Sequence, residues 1–388
     1  MKPLIAERLT TEEDVAALAP EWEALAQRVT PRLPFFEPLW NLTWWKHYRE
    51  DRSTVRHSLR VTTLRRPGGE LVGVAPMMLT ERPARGPARV RLLQFFGADP
   101  NLTELRGVLC LPEAQSDVYR TLLGHLRRSK DEWDFMRFTG VPAGGDVRAQ
   151  VAAEGSVRLD REVPDYFLHP TGTWETFKAG LSRNIKESLR KCTNAPKRDG
   201  VELTFRVVTD KAELPAALDT FFALHENRSQ ATDTITHKNV FAEGRARDFL
   251  KDYLLSLSPA GAARVYQLRH GERVVATRVA FLLGNDLYLY FSGYDLEYSK
   301  YSVMTTCVAE AIRDAIGNGI GAINLSMGND VSKTRWSPTE VMFHDLVWIS
   351  PTTRGALMHR AYETLDEART KPDSFLGKVV AQVARRRA

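Results

Sequence analysis

One helix pattern between two strand-like runs constrains the fold more than any other segment of the chain. Over about Ser302–Ile316 the apolar side chains recur with the 3.6-residue period of a helix that covers a core. They are Val303, Met304, Cys307, Val308, Ala311, Ile312, Ala315 and Ile316. Glycines at 317, 319 and 321 follow and predict the end of the helix. Strand-like runs stand at Leu287–Phe291 and Ala322–Leu325, so the segment predicts a strand–helix–strand unit of an α/β domain.

Hairpins precede this unit. Strand-like runs cover Arg264–Leu268 and Val274–Leu283, and short turns at His270–Arg273 and Gly284–Asp286 connect the strands. Because a short turn joins antiparallel strands, these runs predict a largely antiparallel sheet. A final strand is predicted at Val341–Trp348. Helices are predicted before the hairpins, at Trp174–Arg198, Lys211–Ser229 and Ala242–Leu257.

The first half of the chain repeats the order of hairpin, further strand, helix and strand, with the hairpin strands predicted at His57–Leu64 and Leu71–Leu79. It also contains a local echo, because Gly69–Ala75 resembles Gly271–Thr277. We therefore predict two related α/β domains joined near Val163–Thr171, with a helical segment at the start of the chain up to about Val29. The predicted segments are an N-terminal domain at 1–165, a second domain at 166–350 and a basic helical tail at 351–388.

Composition narrows the class of protein. A chain of 388 residues suits two domains of about 150 residues each. No run of about 18 apolar residues occurs, so no membrane span is expected. The N-terminus becomes acidic too early for a signal peptide, which predicts a cytoplasmic protein. The three cysteines, Cys110, Cys192 and Cys307, lack metal-ligand spacing, so no metal is expected.

The positive charge is concentrated in two clusters. The formal net charge is +6, and basic residues gather in Arg183–Arg198 and in Arg385–Arg387. In the first cluster Arg183, Lys186 and Arg190 recur at helical steps and share one face. Such a face suits a phosphate-bearing cofactor, an anionic acceptor or tRNA, although a solvated charged face has the same pattern.

Four stretches of the second half carry a family resemblance. They read LSRNIKESLRKCTNAPKRDG at 181–200, FFALHENR at 221–228, YQLRHGERVVATRVAFLLGNDLYLYFSGYDLEYSKYSVMTTCVAEAIRDAIGNG at 266–319 and INLSMGNDVSKTRW at 323–336. With these stretches the chain resembles the CelD/BcsL acetyltransferase family linked to cellulose biosynthesis. That family belongs to the GNAT superfamily and is related to the FemAB peptidyltransferases.

The resemblance implies tandem GNAT-like domains, each a mixed, largely antiparallel sheet flanked by helices. It also implies transfer of an acyl group from acyl-CoA, as co-substrate, to an amine or hydroxyl. The chain departs from the family at two positions. Asn324 stands in a strand where the family usually has an acidic residue, and Val303-Met304 stands where the family usually has Pro-Gly.

The strand–loop–helix around Tyr298–Met304 is the predicted thioester site. The first N–H groups of a helix and its dipole favour phosphate, and Lys300 adds a positive charge. An ordinary loop capped by Ser302 has the same sequence pattern. The predicted donor-binding residues are Tyr298, Ser299, Lys300, Tyr301, Ser302, Val303 and Met304.

Direct attack on a thioester also needs a base and a group that polarises the carbonyl. His225 aligns with a histidine recurrent in the resembled family and, as a near-neutral base, is the first candidate, although it could equally be a packed core residue. Asp295 follows the strand before the loop, and Lys333 lies in the later polar loop. The predicted catalytic residues are thus His225, Asp295 and Lys333, and the predicted substrate-binding residues are Glu226, Asp330 and Trp336.

Three functions stay open at this stage. The first is an acyltransferase that uses acyl-CoA, or an acyl carrier protein, and a sugar, amino acid or related small molecule as acceptor. The second is FemAB-like transfer from aminoacyl-tRNA, which the paired domains and the basic helix favour. The third is a non-catalytic binding module, which the missing Pro-Gly and the asparagine at 324 favour.

Overall fold

The computed structural model describes residues 3–99, 101–231 and 237–370. In the first half the strands are β1 Ile5–Leu9, β2 Asp51–Arg52, β3 Val55–Leu59, β4 Val61–Arg65, β5 Leu71–Ala75, β6 Met77–Arg82, β7 Val90–Phe95, β8 Leu109–Cys110, β9 Phe135–Pro142 and β10 Val157–Leu168. The helices of this half are α1 Glu12–Ala26, α2 Pro38–Tyr48, α3 Gln115–Arg128 and α4 Gly145–Ala152.

The second half continues with further helices and strands. Its helices are α5 Trp174–Gly180, α6 Arg183–Arg198, α7 Leu214–Ser229, α8 Gly244–Leu257, α9 Val303–Gly317, α10 Val331–Thr334 and α11 Thr353–Thr370. Its strands are β11 Thr204–Val208, β12 Ala263–His270, β13 Arg273–Leu283, β14 Asp286–Tyr294, β15 Ala322–Met327 and β16 Thr339–Ile349. No helix within the described residues is both long enough and apolar enough to span a bilayer.

The halves share one sheet by exchanging their last strands. In the described part of the chain one sheet has four strands, ordered β1-β4-β5-β8, and the other has 12, ordered β11-β12-β13-β14-β15-β10-β16-β9-β7-β6-β3-β2. Strand β10 ends the first half but pairs with β15 of the second. Strand β16 ends the second half but pairs with β9 of the first. Because β10 and β16 also pair with each other, each half completes the sheet of the other.

Each half contains one parallel strand pair bridged by a helix. In the first half β7 and β9 are parallel and α3 connects them. In the second half β14 and β15 are parallel and α9 connects them. All the other strand pairs within the described residues are antiparallel. The sheet is therefore mixed and largely antiparallel, and helices flank it, as predicted.

The pattern that predicted α9 also describes its packing. Val303, Cys307 and Ile312 are buried in a core that α9 shares with β13, β14 and β15. Burial of side chains of this size contributes roughly 1.5–3 kcal/mol each, so this apolar face holds the helix against the sheet. The predicted helix and the strands on either side of it are confirmed.

Two local predictions were wrong. The chain does not begin with a helix, because strand β1 precedes α1 and pairs with β4. The hairpin strands at 57–64 and 71–79 are each interrupted, at Arg60 and Pro76, where the chain passes from one sheet to the other.

The predicted division at residues 165 and 166 falls inside β10. The division into three segments stays a prediction. Helix α11 lies in the predicted basic tail, whereas the tail's Arg385–Arg387 lies outside the described residues.

Candidate functional site

A gap opens between the parallel strands β14 and β15. They pair with each other from Asp286 opposite Ala322 to Tyr288 opposite Asn324. Beyond these residues β14 continues to Tyr294 and β15 to Met327, but the two strands no longer pair with each other. An inner cavity lies where they diverge. Its lining combines apolar and charged groups: Arg228, Arg278, Ser292, Met304, Thr305, Val308, Leu325, Ser332, Lys333, Arg335 and Trp336. The divergence of the two strands therefore leaves a cavity beside the first turns of α9.

A second, open cleft adjoins this cavity at the start of α9. After β14, one 3-10 turn over Leu296–Tyr301 leads to Ser302, whose φ of 54° places it in the left-handed region. The open cleft is lined by Arg228, His237, Tyr294, Ser299, Lys300, Ser302, Val303, Met304, Thr305, Asp330 and Ser332. Since the first N–H groups of a helix have no acceptor within the helix, this end of α9 favours an anion.

Most of the predicted donor-binding residues line this open cleft, but two tyrosines face elsewhere. Tyr298 contacts the β12–β13 hairpin, and its hydroxyl lies 2.9 Å from Nδ1 of His270. Tyr301 is buried, and its hydroxyl donates to Asp199 at the end of α6, at 3.0 Å. Lys300 is exposed, and its ammonium lies 3.5 Å from the Asp199 carboxylate. The two tyrosines thus hold the loop in place, while the residues at 299–300 and 302–304 line the cleft.

His225 is packed in the core and does not line the cleft. Its Nδ1 lies 2.9 Å from the carbonyl oxygen of Ser292, and three phenylalanine rings surround it. Helix α7 crosses β14 here at Gly293, where a Cβ would lie 2.5 Å from the carbonyl carbon of Leu224. Burial lowers the pKa of His225, which keeps the imidazole neutral. The geometry corresponds to the packed histidine that the sequence left open.

Asp295 and Glu226 also lie away from the cleft lining. Asp295 is buried, accepts a hydrogen bond from the N–H of Glu297 at 3.1 Å and forms an ion pair with Arg273. It therefore caps the turn before α9. Glu226 is half-exposed on α7, 3.7 Å from Arg247. Asp295 thus holds the turn that contains the donor loop, but neither carboxylate lines the cleft.

Lys333, Asp330 and Trp336 do meet at the gap. Asp330 caps the short helix α10 by accepting from the N–H of Ser332 at 2.7 Å. Lys333 follows on α10, and its ammonium donates to the carbonyl oxygen of Met327 at the end of β15. Trp336 is buried and forms part of the inner cavity wall. This group places an ammonium directly beside the diverging strands.

The first half of the chain contributes a carboxylate that sequence reasoning missed. Tyr288 on β14 donates its hydroxyl to Glu104, and Tyr290 donates to the carbonyl oxygen of Leu102, at 2.5 Å. Burial raises the pKa of Glu104, while the nearby ammonium of Lys333 lowers it. Glu104 therefore reaches the gap from a loop more than 180 residues away in sequence.

A second buried carboxylate lies next to Asn324. The Asn324 side-chain amide donates to Asp165 on β10 at 2.9 Å, and burial raises the pKa of Asp165 to about 7. The strand itself has no acidic residue at this position, but the neighbouring strand β10 supplies a carboxylate within hydrogen-bond distance of Asn324.

Two arginines of the cavity were also missed. Arg278 is the only charged residue within the apolar run Val274–Leu283, and Arg228 ends the motif FFALHENR. A charge inside an otherwise buried strand is the signal that could have identified Arg278.

Helix α6 packs beside the start of α9. Its buried residues Ile185, Leu189 and Cys192 face the core, and the Cys192 thiol lies 3.9 Å from the carbonyl oxygen of Ser302. Its basic side chains therefore point outward, and Arg183 and Arg190 are largely exposed. The buried face of α6 thus contacts the start of α9, while its basic face points to solvent.

Residues 182–334 match the protein family described as Acetyltransferase (GNAT) domain. Among solved structures, FemX matches with a TM-score of 0.58 and 10% identity, over 87% of this chain and 96% of FemX. The C-terminal domain assigned to a lysylphosphatidylglycerol synthetase from Agrobacterium fabrum matches with a TM-score of 0.50 and 12% identity, over 90% of this chain and 97% of that domain. No curated protein matches the chain.

The second half therefore is similar to GNAT acetyltransferase domains over residues 182–334, and the chain as a whole has the fold of FemX. Together with the repeated strand–helix–strand unit, this confirms the predicted fold class of tandem GNAT-like domains. At these identities the solved structures show a shared fold alone. The narrower resemblance to the CelD/BcsL family stays a prediction.

Proposed function

We propose that the protein is an acyltransferase that moves an acyl group from an acyl thioester, with acyl-CoA as the donor, to an amine or hydroxyl of a small acceptor. The observation that carries this proposal is that the open cleft and the inner cavity are continuous with each other. The open cleft at the start of α9 leads into the gap between β14 and β15. A long, thin donor with phosphates at one end and a thioester at the other fits such a path.

The donor's pyrophosphate would lie against the N–H groups of Val303 and Met304. The dipole of α9 and the nearby ammonium of Lys300 favour negative charge there. The pantetheine amides would then follow the unpaired edge of β14 beyond Tyr288, whose backbone groups can bind a further extended chain. This path delivers the thioester carbonyl to the inner cavity.

Lys333 is positioned to polarise that carbonyl. Burial lowers its pKa, while the carboxylate of Glu104 raises it. An ammonium in a site with little water stabilises the oxyanion that forms when the nucleophile attacks. We assign Glu104 as the base that accepts the proton of the attacking amine or hydroxyl. The C–S bond then breaks, and the leaving thiolate takes up a proton to give the free thiol.

A thiol-release assay tests this function. The protein would be mixed with acetyl-CoA or a longer acyl-CoA and with pools of amino acids, amino sugars and sugars, and free thiol would be measured. We expect release that depends on an acceptor and is lost in Lys333→Met. If no thioester binds and none is consumed with any pool, the acyl-CoA proposal is wrong, and a non-catalytic binding module becomes the better account.

The basic face of α6 supports a second candidate donor, aminoacyl-tRNA. Its exposed side chains, including Arg183 and Arg190, form a basic surface on the helix that packs against the start of α9, and such a surface suits a polyanion. Filter binding of aminoacyl-tRNA over a range of salt concentrations separates the two donors. A tRNA donor predicts binding with a steep salt dependence that becomes shallower in Arg183→Gln/Arg190→Gln. An acyl-CoA donor predicts weak binding of tRNA that does not compete with acetyl-CoA.

A further inference from the structure

The inner cavity carries four positively charged side chains and no matching carboxylate. Arg228, Arg278, Lys333 and Arg335 all line it. Across the described residues, none of the four has a carboxylate oxygen within the 4.0 Å of an ion pair. The cavity wall has no acidic side chain of its own. Charged side chains that are largely removed from water are usually paired with an opposite charge, so this arrangement is unusual.

The polar partners of these cations are neutral. The Arg228 guanidinium donates to the Ser292 hydroxyl at 2.6 Å and lies 2.8 Å from Nε2 of His237. Arg278 donates to the carbonyl oxygen of Leu289 at 3.1 Å, and its Nε has no hydrogen-bond partner among the described residues. Neither guanidinium therefore donates a hydrogen bond to a carboxylate among the described residues.

An unmatched cation in such a place has an energetic cost. Removing a charge from water is unfavourable unless an opposite charge compensates it. Burial lowers the pKa of Arg278 to about 10, which reflects that cost. The carboxylates nearby compensate only in part, because burial raises the pKa of both Glu104 and Asp165, and Asp330 lines the adjoining open cleft instead of this cavity. The cavity is therefore electropositive and suited to an anionic ligand.

We infer that the inner cavity is a carboxylate-binding subsite, in which Arg278 and Arg228 hold a carboxylate carried on a short aliphatic chain. A planar guanidinium matches a carboxylate with two parallel hydrogen bonds. The apolar side chains of Met304, Val308 and Leu325 line the same space and suit methylene groups next to that carboxylate.

The carboxylate could belong to the acyl group, as in a dicarboxylic acyl thioester, or to an amino-acid acceptor. This choice rests on the proposed acyl transfer, because only that reaction brings a donor and an acceptor into the same cleft. The subsite itself rests on the cations of the cavity alone.

Calorimetric titration tests the subsite and identifies its source. CoA, acetyl-CoA and succinyl-CoA would be titrated into the wild type and Arg278→Met, and succinate would be titrated into the CoA-loaded protein. Arg264→Met is the matched control, since Arg264 is a similarly covered arginine on the neighbouring strand β12 that pairs with Asp314 outside the cavity. Arg278→Lys keeps the positive charge but cannot make two parallel hydrogen bonds to a carboxylate. It serves as a second variant in case Arg278→Met does not fold.

A carboxylate on the acyl group predicts that succinyl-CoA binds at least tenfold more tightly than acetyl-CoA, and that Arg278→Met abolishes the difference without changing the affinity for CoA. A carboxylate on the acceptor predicts equal binding of the two thioesters and succinate binding that Arg278→Met weakens at least tenfold. In either case Arg278→Lys should have an intermediate effect and Arg264→Met none.

The inference is overturned if the wild type and Arg278→Met bind succinyl-CoA and succinate equally. It is equally overturned if a folded wild type binds neither ligand. Failure of the donor proposal gives a different result. In that case CoA and both thioesters do not bind, while succinate still binds in an Arg278-dependent manner to the protein alone.

Discussion

The two parallel strand pairs of the molecule have the same topology but differ in the connection that leads from the first strand to the helix. In the second half, a single turn over residues 295–302 connects β14 to α9 and leaves the gap between β14 and β15 open. In the first half, a much longer connection over residues 96–114 joins β7 to α3. This connection passes through the corresponding gap, where a Cβ on Gly140 of β9 would overlap the Arg106 carbonyl oxygen.

The difference shows how a duplicated fold can supply one site instead of two. The long connection packs against Gly140 in the gap of its own half, beside a cavity at the start of α3, and then reaches the other half, where Glu104 and Leu102 accept hydrogen bonds from Tyr288 and Tyr290. The first half thus places a carboxylate beside the gap of the second half, where we propose that the donor binds. The exchanged strands β10 and β16 fix the two halves in the relative position that this requires.

The largest expected effect is at Lys333 in the open gap. Replacement by Met removes the group assigned to the oxyanion, and loss of one such donor costs about 10²–10³-fold in kcat. Steady-state kinetics with any acceptor found by thiol release would measure it. Lys46→Met is the control, because Lys46 is an exposed lysine of the first half that pairs with Asp252. A kcat for Lys333→Met within threefold of wild type would contradict the assignment.

Glu104 tests whether the first half takes part in the chemistry. We expect Glu104→Gln to lower kcat/KM by about 10²-fold, as for loss of a general base, while Glu113→Gln in the same connection has no effect. Because burial raises the pKa of Glu104, the wild-type rate should increase with pH through a pKa above the ordinary value of 4.5. The base must be deprotonated, so the variant should lose this acidic limb. An unchanged pH profile would leave Glu104 with a structural role only.

Gly140 tests whether the first gap is closed. A Cβ there would overlap the backbone of Arg106, and the φ of +64° is also unfavourable for alanine. Gly140→Ala should lower the free energy of unfolding by about 2–3 kcal/mol, as overpacked sites do. Gly144→Ala has nothing within 4 Å of its Cβ and should be near neutral. Thermal unfolding of both variants measures the difference, and equal stabilities would show that the gap can open.

Lys300 should have the smallest effect. Its ammonium is exposed and already lies 3.5 Å from Asp199, so its contribution to phosphate binding is screened by solvent. Lys300→Met should weaken acetyl-CoA binding about threefold to fivefold, with kcat unchanged, and the loss should shrink in high salt. A hundredfold loss would mean that the loop closes over the donor in a way that this geometry does not provide.

The sequence predicted the local parts of this comparison well. The 3.6-residue period of α9 and the hairpin turns are local signals, and the structure has both elements where they were expected. The order strand, turn, helix, strand and polar loop also predicted that the start of α9, Lys333 and Asp330 lie at the same end of the sheet. Period and turn chemistry are sufficient for elements whose packing partners are neighbours in sequence.

The parts that sequence reasoning missed depend on long-range contacts. Glu104 and Asp165 reach the gap only because the halves exchange strands, and no local pattern in the sequence encodes that exchange. His225 suited a base by residue type, yet α7 packs it against β14 at Gly293. A side chain's chemistry alone does not say which side of a helix faces a cleft.

The central claim is that only the second half binds a thioester, and the number of acetyl-CoA molecules bound per chain tests it most directly. Calorimetric titration should give one site. Val308→Trp, which fills the inner cavity of the second half, should abolish binding, whereas Gln115→Trp at the start of α3 should leave it unchanged. Two sites per chain, or one site that Gln115→Trp blocks and Val308→Trp does not, would contradict the account.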